Sequence, residues 1–190
     1  VMRLVGSEMC IRDRIKTAEE SEMFSKKEKD NNGVYLIPAF SGLGPPYWNS
    51  EARAAFFGIS ASTNTNHLIR AGLESVAYQM VVYLEFMKKT QNMELKNLSI
   101  DGGMVKNKFF LQILSDLLEI DLSIPELEEM SSYGALLFGI QHFHNIKNLE
   151  DLRDFKVKKS VIKPNNNNII KQSYRSWKEI VDKHFVKNQE

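Results

Sequence analysis

The chain has 190 residues, 43% hydrophobic and 26% charged, with 10 Gly and 5 Pro. That length suits one ordinary domain, and the balance excludes collagen-like, low-complexity and wholly disordered classes. With 25 Lys/Arg against 24 Asp/Glu the formal charge is +1, which leaves no global field to gather nucleic acid or an anionic membrane.

Residues 1–14, VMRLVGSEMCIRDR, show no period, turn logic or strand pattern, and resemble a translated adapter. They are set aside as a non-native extension, leaving 15–190 as the domain. The next segment, Ile15–Asp30, is rich in Glu and Lys and predicts a surface helix, with Thr17 and Glu20 at capping-box spacing. Asn31-Asn32-Gly33 is a turn signal. Val34–Phe40 is a β-branched and aromatic run, a strand that must end, bulge or lie at an edge at Pro38. In the SGLGPPYW loop, Ser41–Trp48, glycines and prolines impose special backbone angles, and Tyr47-Trp48 are expected to pin it to the body. Ala54–Ile59 predicts a second strand.

The longest helix is predicted from His67 to Lys88, with apolar residues recurring at steps of three and four (Ile69, Leu73, Val76, Met80). Leu98-Ser99-Ile100, then Asp101-Gly102-Gly103, then an amphipathic helix over Asn107–Leu118 and a strand over Ile120–Ile124 make a βαβ unit with parallel pairing. A helix follows from about Tyr133 to His144, with Ser131 or Ser132 as its N-cap. Asn165–Asn168 is a loop, and Ile169–Phe185 a final amphipathic helix carrying Tyr174 and Trp177. Residues 151–190 hold ten Lys/Arg against five Asp/Glu, a local +5 that leaves −4 for the rest. The basic residues are scattered, the pattern of a solvated surface rather than a nucleic-acid-binding block. The architecture is α/β, in one layered domain.

A single cysteine, Cys10, excludes an internal disulfide and a cysteine-based zinc site, and suits a reducing, cytoplasmic setting. No apolar run reaches the ~18–20 residues of a membrane span, and the first ten residues are too polar for a signal-peptide core. His67, His142, His144 and His184 make no HExxH, and no metal site is assigned. Asp101, Glu74 and Arg53 are ionisable residues beside apolar runs, better suited to structural hydrogen bonds than to acid–base work. The informative feature is Asp-Gly-Gly between a strand and a helix start. Two glycines remove side chains where amides and the positive helix end face outward, so a phosphate can approach the backbone. Asn107, four residues beyond Gly103, can turn its amide toward a ligand or cap the helix; both roles stay open.

GVYLIPAFSGLGPPYWNSEARAAFFGI, NHLIRAGLESVAYQ and LSIDGGMVKNKFFLQILSDLL resemble the C-terminal half of the FGGY carbohydrate kinases, and the PAFSGLGPPYW loop resembles their glycerol-kinase branch. The resemblance implies a ribonuclease H-like, actin-like ATPase fold, of which this chain is most of the second of two domains around a cleft. It implies that Gly103 and Asn107 contact ATP or ADP, with Mg²⁺ carried by the nucleotide and glycerol as the second substrate. Gly72 departs from the side chain usual in the family signature, and Tyr133 replaces a smaller residue beside Gly134. The family's phosphate-gripping loop, glycerol-binding Arg, Glu and Tyr, and catalytic Asp have no counterpart here. No catalytic residue is therefore assigned, and the absent N-terminal domain is the partner implied. Two rival readings are another sugar kinase, such as one for xylulose, and a non-catalytic actin-like module that binds nucleotide or protein. A homo-oligomer is among the states left open.

Overall fold

A computed structural model of the chain describes residues 18–186 apart from 93, 128, 145 and 147–156. Residues 1–14, and Thr17 of the anticipated capping box, lie outside the described residues. Helix α1, Ala18–Ser25, is the surface helix anticipated there. The chain then turns through Asn31, whose Oδ1 accepts from the Gly33 amide at 3.1 Å.

Strand β1, Tyr35–Ile37, buries Leu36 and Ile37 and stops before Pro38, whose missing N–H cannot continue a ladder. Strand β2, Ala55–Phe57, pairs with it antiparallel, Tyr35 opposite Phe57 and Ile37 opposite Ala55. The loop between them folds on itself. Leu43 and Asn49 exchange backbone hydrogen bonds of 2.8 and 2.9 Å. Gly42 lies at φ +93°, and a Cβ there would stand 2.8 Å from the Asn49 carbonyl oxygen, so only glycine fits. Tyr47 packs on the core as expected, but Trp48 is 73% exposed and does not pin the loop. Asn49 does that instead: its Nδ2 donates to the Phe185 carbonyl at 2.7 Å, while its Oδ1 accepts from Glu51 and Ala52 amides.

Helix α2, Thr65–Gln91, runs for 27 residues, roughly 40 Å. It is longer at both ends than its apolar period implied, because polar residues set its limits. Asn64 accepts from the His67 amide while the His67 ring accepts from the Asn64 amide, and Asn92 in the left-handed region closes the far end. Lys88 and Lys89 complement the negative end of the helix dipole. Its inner face (Ile69, Ala77, Tyr78, Val81, Val82) is buried.

Strand β3, Asn97–Ser99, helix α3, Lys108–Leu118, and strand β4, Asp121–Pro125, form the anticipated βαβ unit: β3 and β4 are parallel, Asn97 opposite Asp121 and Ser99 opposite Ser123. Helix α4, Met130–Phe143, starts before Ser131 and Ser132, so neither serine is its N-cap; both lie inside the first turn, and Glu129 at the cap position contributes no side-chain bond. Strand β5, Lys159–Ile162, adds antiparallel to β4, giving the order β3-β4-β5. Helix α5, Asn168–Phe185, is capped by Asn167. It returns to β1, where the buried Trp177 donates Nε1–H to the Leu36 carbonyl at 2.8 Å. One core joins both small sheets to α2, α3 and α5, with Phe110, Leu114, Leu122, Trp177 and Val181 at its centre.

Candidate functional site

The corner between β3 and α3 is built from a short series of local hydrogen bonds. Ile100 extends the ladder through its amide to Ser123 O at 3.0 Å. The Asp101 carboxylate then accepts from the Gly102 amide at 2.7 Å. Gly102 sits at φ +104°, ψ 178°, a region essentially closed to side chains. A 3-10 turn, Gly103–Lys106, follows, with Val105 N bonded to Gly102 O and Asn107 N to Met104 O, both at 3.1 Å.

Much of the start of α3 is already satisfied. Asn107 is 1% exposed; its Oδ1 accepts from Phe110 N at 2.9 Å and its Nδ2 donates to Ser21 Oγ at 3.3 Å. Of the two roles open to Asn107, the structure shows the cap. The Glu22 carboxylate accepts from Lys108 N at 2.8 Å. The amides of Gly103 and Met104, first in the 3-10 turn, precede any carbonyl of that turn that could accept from them. Gly102 and Gly103 are exposed, and a Cβ on Gly103 would meet nothing within 4 Å. The corner is therefore open, with bare main chain at its lip. It can receive an acceptor-rich ligand against two amides, the chemistry that a phosphate or a nucleotide offers.

The other residues singled out from the sequence are structural here. Glu74 is 1% exposed and accepts from Arg70 Nε at 2.7 Å, Asn31 Nδ2 at 3.1 Å and Tyr78 OH at 3.1 Å. Burial pushes its carboxyl up, against the pull of Arg70 and the two neutral donors. The Tyr78 phenol is pushed up as well, chiefly by burial and then by the Glu74 charge. Arg53 donates to the Ser50 and Ala52 carbonyls. His67 caps α2 and lies 3.3 Å from Glu28 Oε2; the His184 ring packs 5.1 Å from Phe57. Among the described residues no group of three His, Cys, Asp or Glu could hold a metal ion, and no helix is long and apolar enough to cross a membrane. Sequence reasoning missed the α1 contacts at this corner. Ser21 and Glu22 stand 86 residues before Asn107 and Lys108, and no local spacing announces such a pairing.

The family model of the FGGY family of carbohydrate kinases, C-terminal domain, matches residues 4–141. Glycerol kinase of Francisella tularensis subsp. holarctica is 38% identical over 170 residues, 89% of this chain and 34% of that protein. Glycerol kinase of Haemophilus influenzae is 38% identical over 175 residues, 90% and 35%. Plasmodium falciparum glycerol kinase with ADP superposes with a TM-score of 0.81 at 27% identity, covering 96% of this chain and 37% of that one. Ligand-bound xylulose kinase from Lactobacillus acidophilus superposes at 0.76 with 15% identity, 93% and 36%, a likeness of fold. The chain thus spans about a third of the length of the relatives it matches. The α/β fold is that of the C-terminal, actin-like domain of such kinases. The chain belongs to the FGGY family of carbohydrate kinases, whose C-terminal domain it carries.

Proposed function

We propose that this chain is the C-terminal, nucleotide-binding half of an ATP-dependent glycerol kinase. The intact enzyme would move the γ-phosphoryl group of ATP to glycerol, giving glycerol 3-phosphate and ADP. The observation that carries the reading is the 38% identity to glycerol kinases across 89–90% of the chain. The open Gly102–Gly103 corner supports it, as a surface suited to a polyanion. The xylulose and gluconate kinases that share the fold are 15% identical and lend no support to a sugar substrate.

In this reading Gly103 meets the nucleotide directly, through an amide that no side chain shields. Asn107 serves the same ligand by holding the start of α3, which sets the height of the Gly103 and Met104 amides above the corner. Phosphoryl transfer needs positioning, Mg²⁺ and a base that accepts the hydroxyl proton. Mg²⁺ usually keeps its waters and binds substrate phosphates with one or two carboxylates. Asp101 is a single carboxylate at this corner, and among the described residues no group of three His, Cys, Asp or Glu could hold a metal ion, so the ion fits as the nucleotide's passenger. The 190 residues carry no counterpart of the family's catalytic Asp. The base, the glycerol contacts and the phosphate-gripping loop belong to an upstream half, and closure of the two halves would exclude water. An ATP substrate and a lone cysteine suit a cytoplasmic enzyme.

A coupled assay for ADP release tests this. The intact protein should turn over with glycerol and ATP, and the 190-residue chain alone should not. Turnover by the isolated chain would contradict the division between halves, and a preference for xylulose over glycerol would replace the substrate.

A further inference from the structure

Three elements meet behind the nucleotide corner, and a single buried cation ties them. Arg70 on α2 is 6% exposed. Its Nε donates to Glu74, and its Nη1 donates to the carbonyls of Ser25 and Glu28, at 3.2 and 2.7 Å, where α1 ends. Its guanidinium also lies 4.9 Å from the centroid of the Phe109 ring, in the first turn of α3. Helix α1, held at its end by this fork, brings Ser21 to Asn107 Nδ2 and Glu22 to Lys108 N. The two side chains that steady the head of α3 from outside thus sit on an eight-residue helix. Eight residues make little more than two turns, too few to be stable without tertiary contacts. Arg70 is one of the contacts that set its position, beside those of the Glu28 carboxylate with Asn64, Asn66 and His67.

We propose that Arg70 and Glu22 are positioning residues of the nucleotide corner. Arg70 clamps the end of α1, and Glu22 transmits that placement to the head of α3, which sets where the Gly103 and Met104 amides stand. The inference rests on the nucleotide reading given above. Lysine is a poor substitute for Arg70, because one ammonium cannot reproduce the planar fork to carboxylate and carbonyls while lying over Phe109. Glutamine is a good substitute for Glu22, since its amide oxygen still accepts from Lys108 N.

The test uses the intact kinase containing this chain, with ATP as the probe. Glu22→Ala and Arg70→Lys should each raise KM for ATP about three- to tenfold, less than the loss of a whole hydrogen bond to the ligand, because the amides are displaced and not removed. KM for glycerol should stay unchanged, and Glu22→Gln should restore most of the ATP affinity. Val181→Ala, a buried site on α5, serves as a control of matched or greater thermal destabilisation, and its KM for ATP should be that of the parent. If Glu22→Ala and Arg70→Lys lower the melting temperature as Val181→Ala does but leave KM for ATP unmoved, the positioning role is overturned. Gly103→Val separates this failure from failure of the reading beneath it. A raised KM for ATP in that variant, with Glu22→Ala silent, sinks the positioning role alone. A silent Gly103→Val sinks both.

Discussion

Adjacent glycines at 102 and 103 should answer the same substitution in opposite ways, because the structure puts them in different backbone conformations. Gly103 has an ordinary φ, and a Cβ there meets nothing within 4 Å. Gly103→Val should therefore change folding stability by less than about 0.5 kcal/mol, as at other open surface sites. The valine branches would nonetheless stand over the Gly103 and Met104 amides, and losing one charge-assisted hydrogen bond there costs about 1.5–3 kcal/mol, or about ten- to a hundredfold in KM for ATP. Gly102 lies at φ +104° in equally open space, so its difficulty is the backbone itself. Gly102→Val should cost about 1–3 kcal/mol of stability from that strain alone. Thermal unfolding and ATP kinetics of the two variants in the intact protein separate the effects. A Gly103→Val protein that is destabilised by more than 1 kcal/mol yet binds ATP as the parent does would refute the reasoning.

Three more outcomes follow from the packing. Glu74→Ala leaves Arg70 buried without its carboxylate and strips an acceptor from Asn31 and Tyr78, so denaturant unfolding should show a loss of about 3–5 kcal/mol; less than 1 kcal/mol would mean the network is slack. Gly72→Ala inside α2 meets no neighbour within 4 Å and should raise stability by about 0.5–1 kcal/mol, and a loss would show a contact that the helix hides. The Tyr47 hydroxyl is buried with no partner among the described residues, and burial, with lesser help from Asp182 and Glu85, pushes its phenol from 10 up to about 12. Its folded-state value being the higher, the contribution of Tyr47 is present below pH 10 and is lost as pH rises toward 12. Tyr47→Phe should be neutral to stabilising at pH 7 and should flatten that alkaline loss, which denaturant midpoints across the range would show; a steeper alkaline loss in the variant would contradict it.

Local chemistry made much of this fold legible. The βαβ unit around residues 97–125, the stop at Pro38 and the glycine-rich corner all follow from periodicity and from what proline and glycine permit. The long helix was legible in its apolar face but not in its ends, since Asn64 acts through its side-chain oxygen and Asn92 through its backbone amide, and neither leaves a periodic trace. Strand β5 was hidden because Lys159–Ile162 is only four residues in a basic stretch, and its partner β4 lies more than 30 residues earlier. Trp48 shows the reverse failure: an aromatic beside two prolines suggests an anchor, yet a local Leu43–Asn49 pair and the Asn49 amide do that work. The open turn at Gly102–Gly103 was legible from its two glycines, whereas the packing beneath it by Ser21, Glu22 and Arg70 depends on which helices meet. Sequence spacing alone does not carry that.

Hydrogen–deuterium exchange on the intact protein, with and without ADP and Mg²⁺, reads the corner most directly. Nucleotide is expected to slow exchange of the Gly103 and Met104 amides, the first two of the 3-10 turn, while the amides of β5 are unaffected. Unchanged exchange at residues 103–104 under saturating nucleotide would place the ligand elsewhere and contradict that expectation.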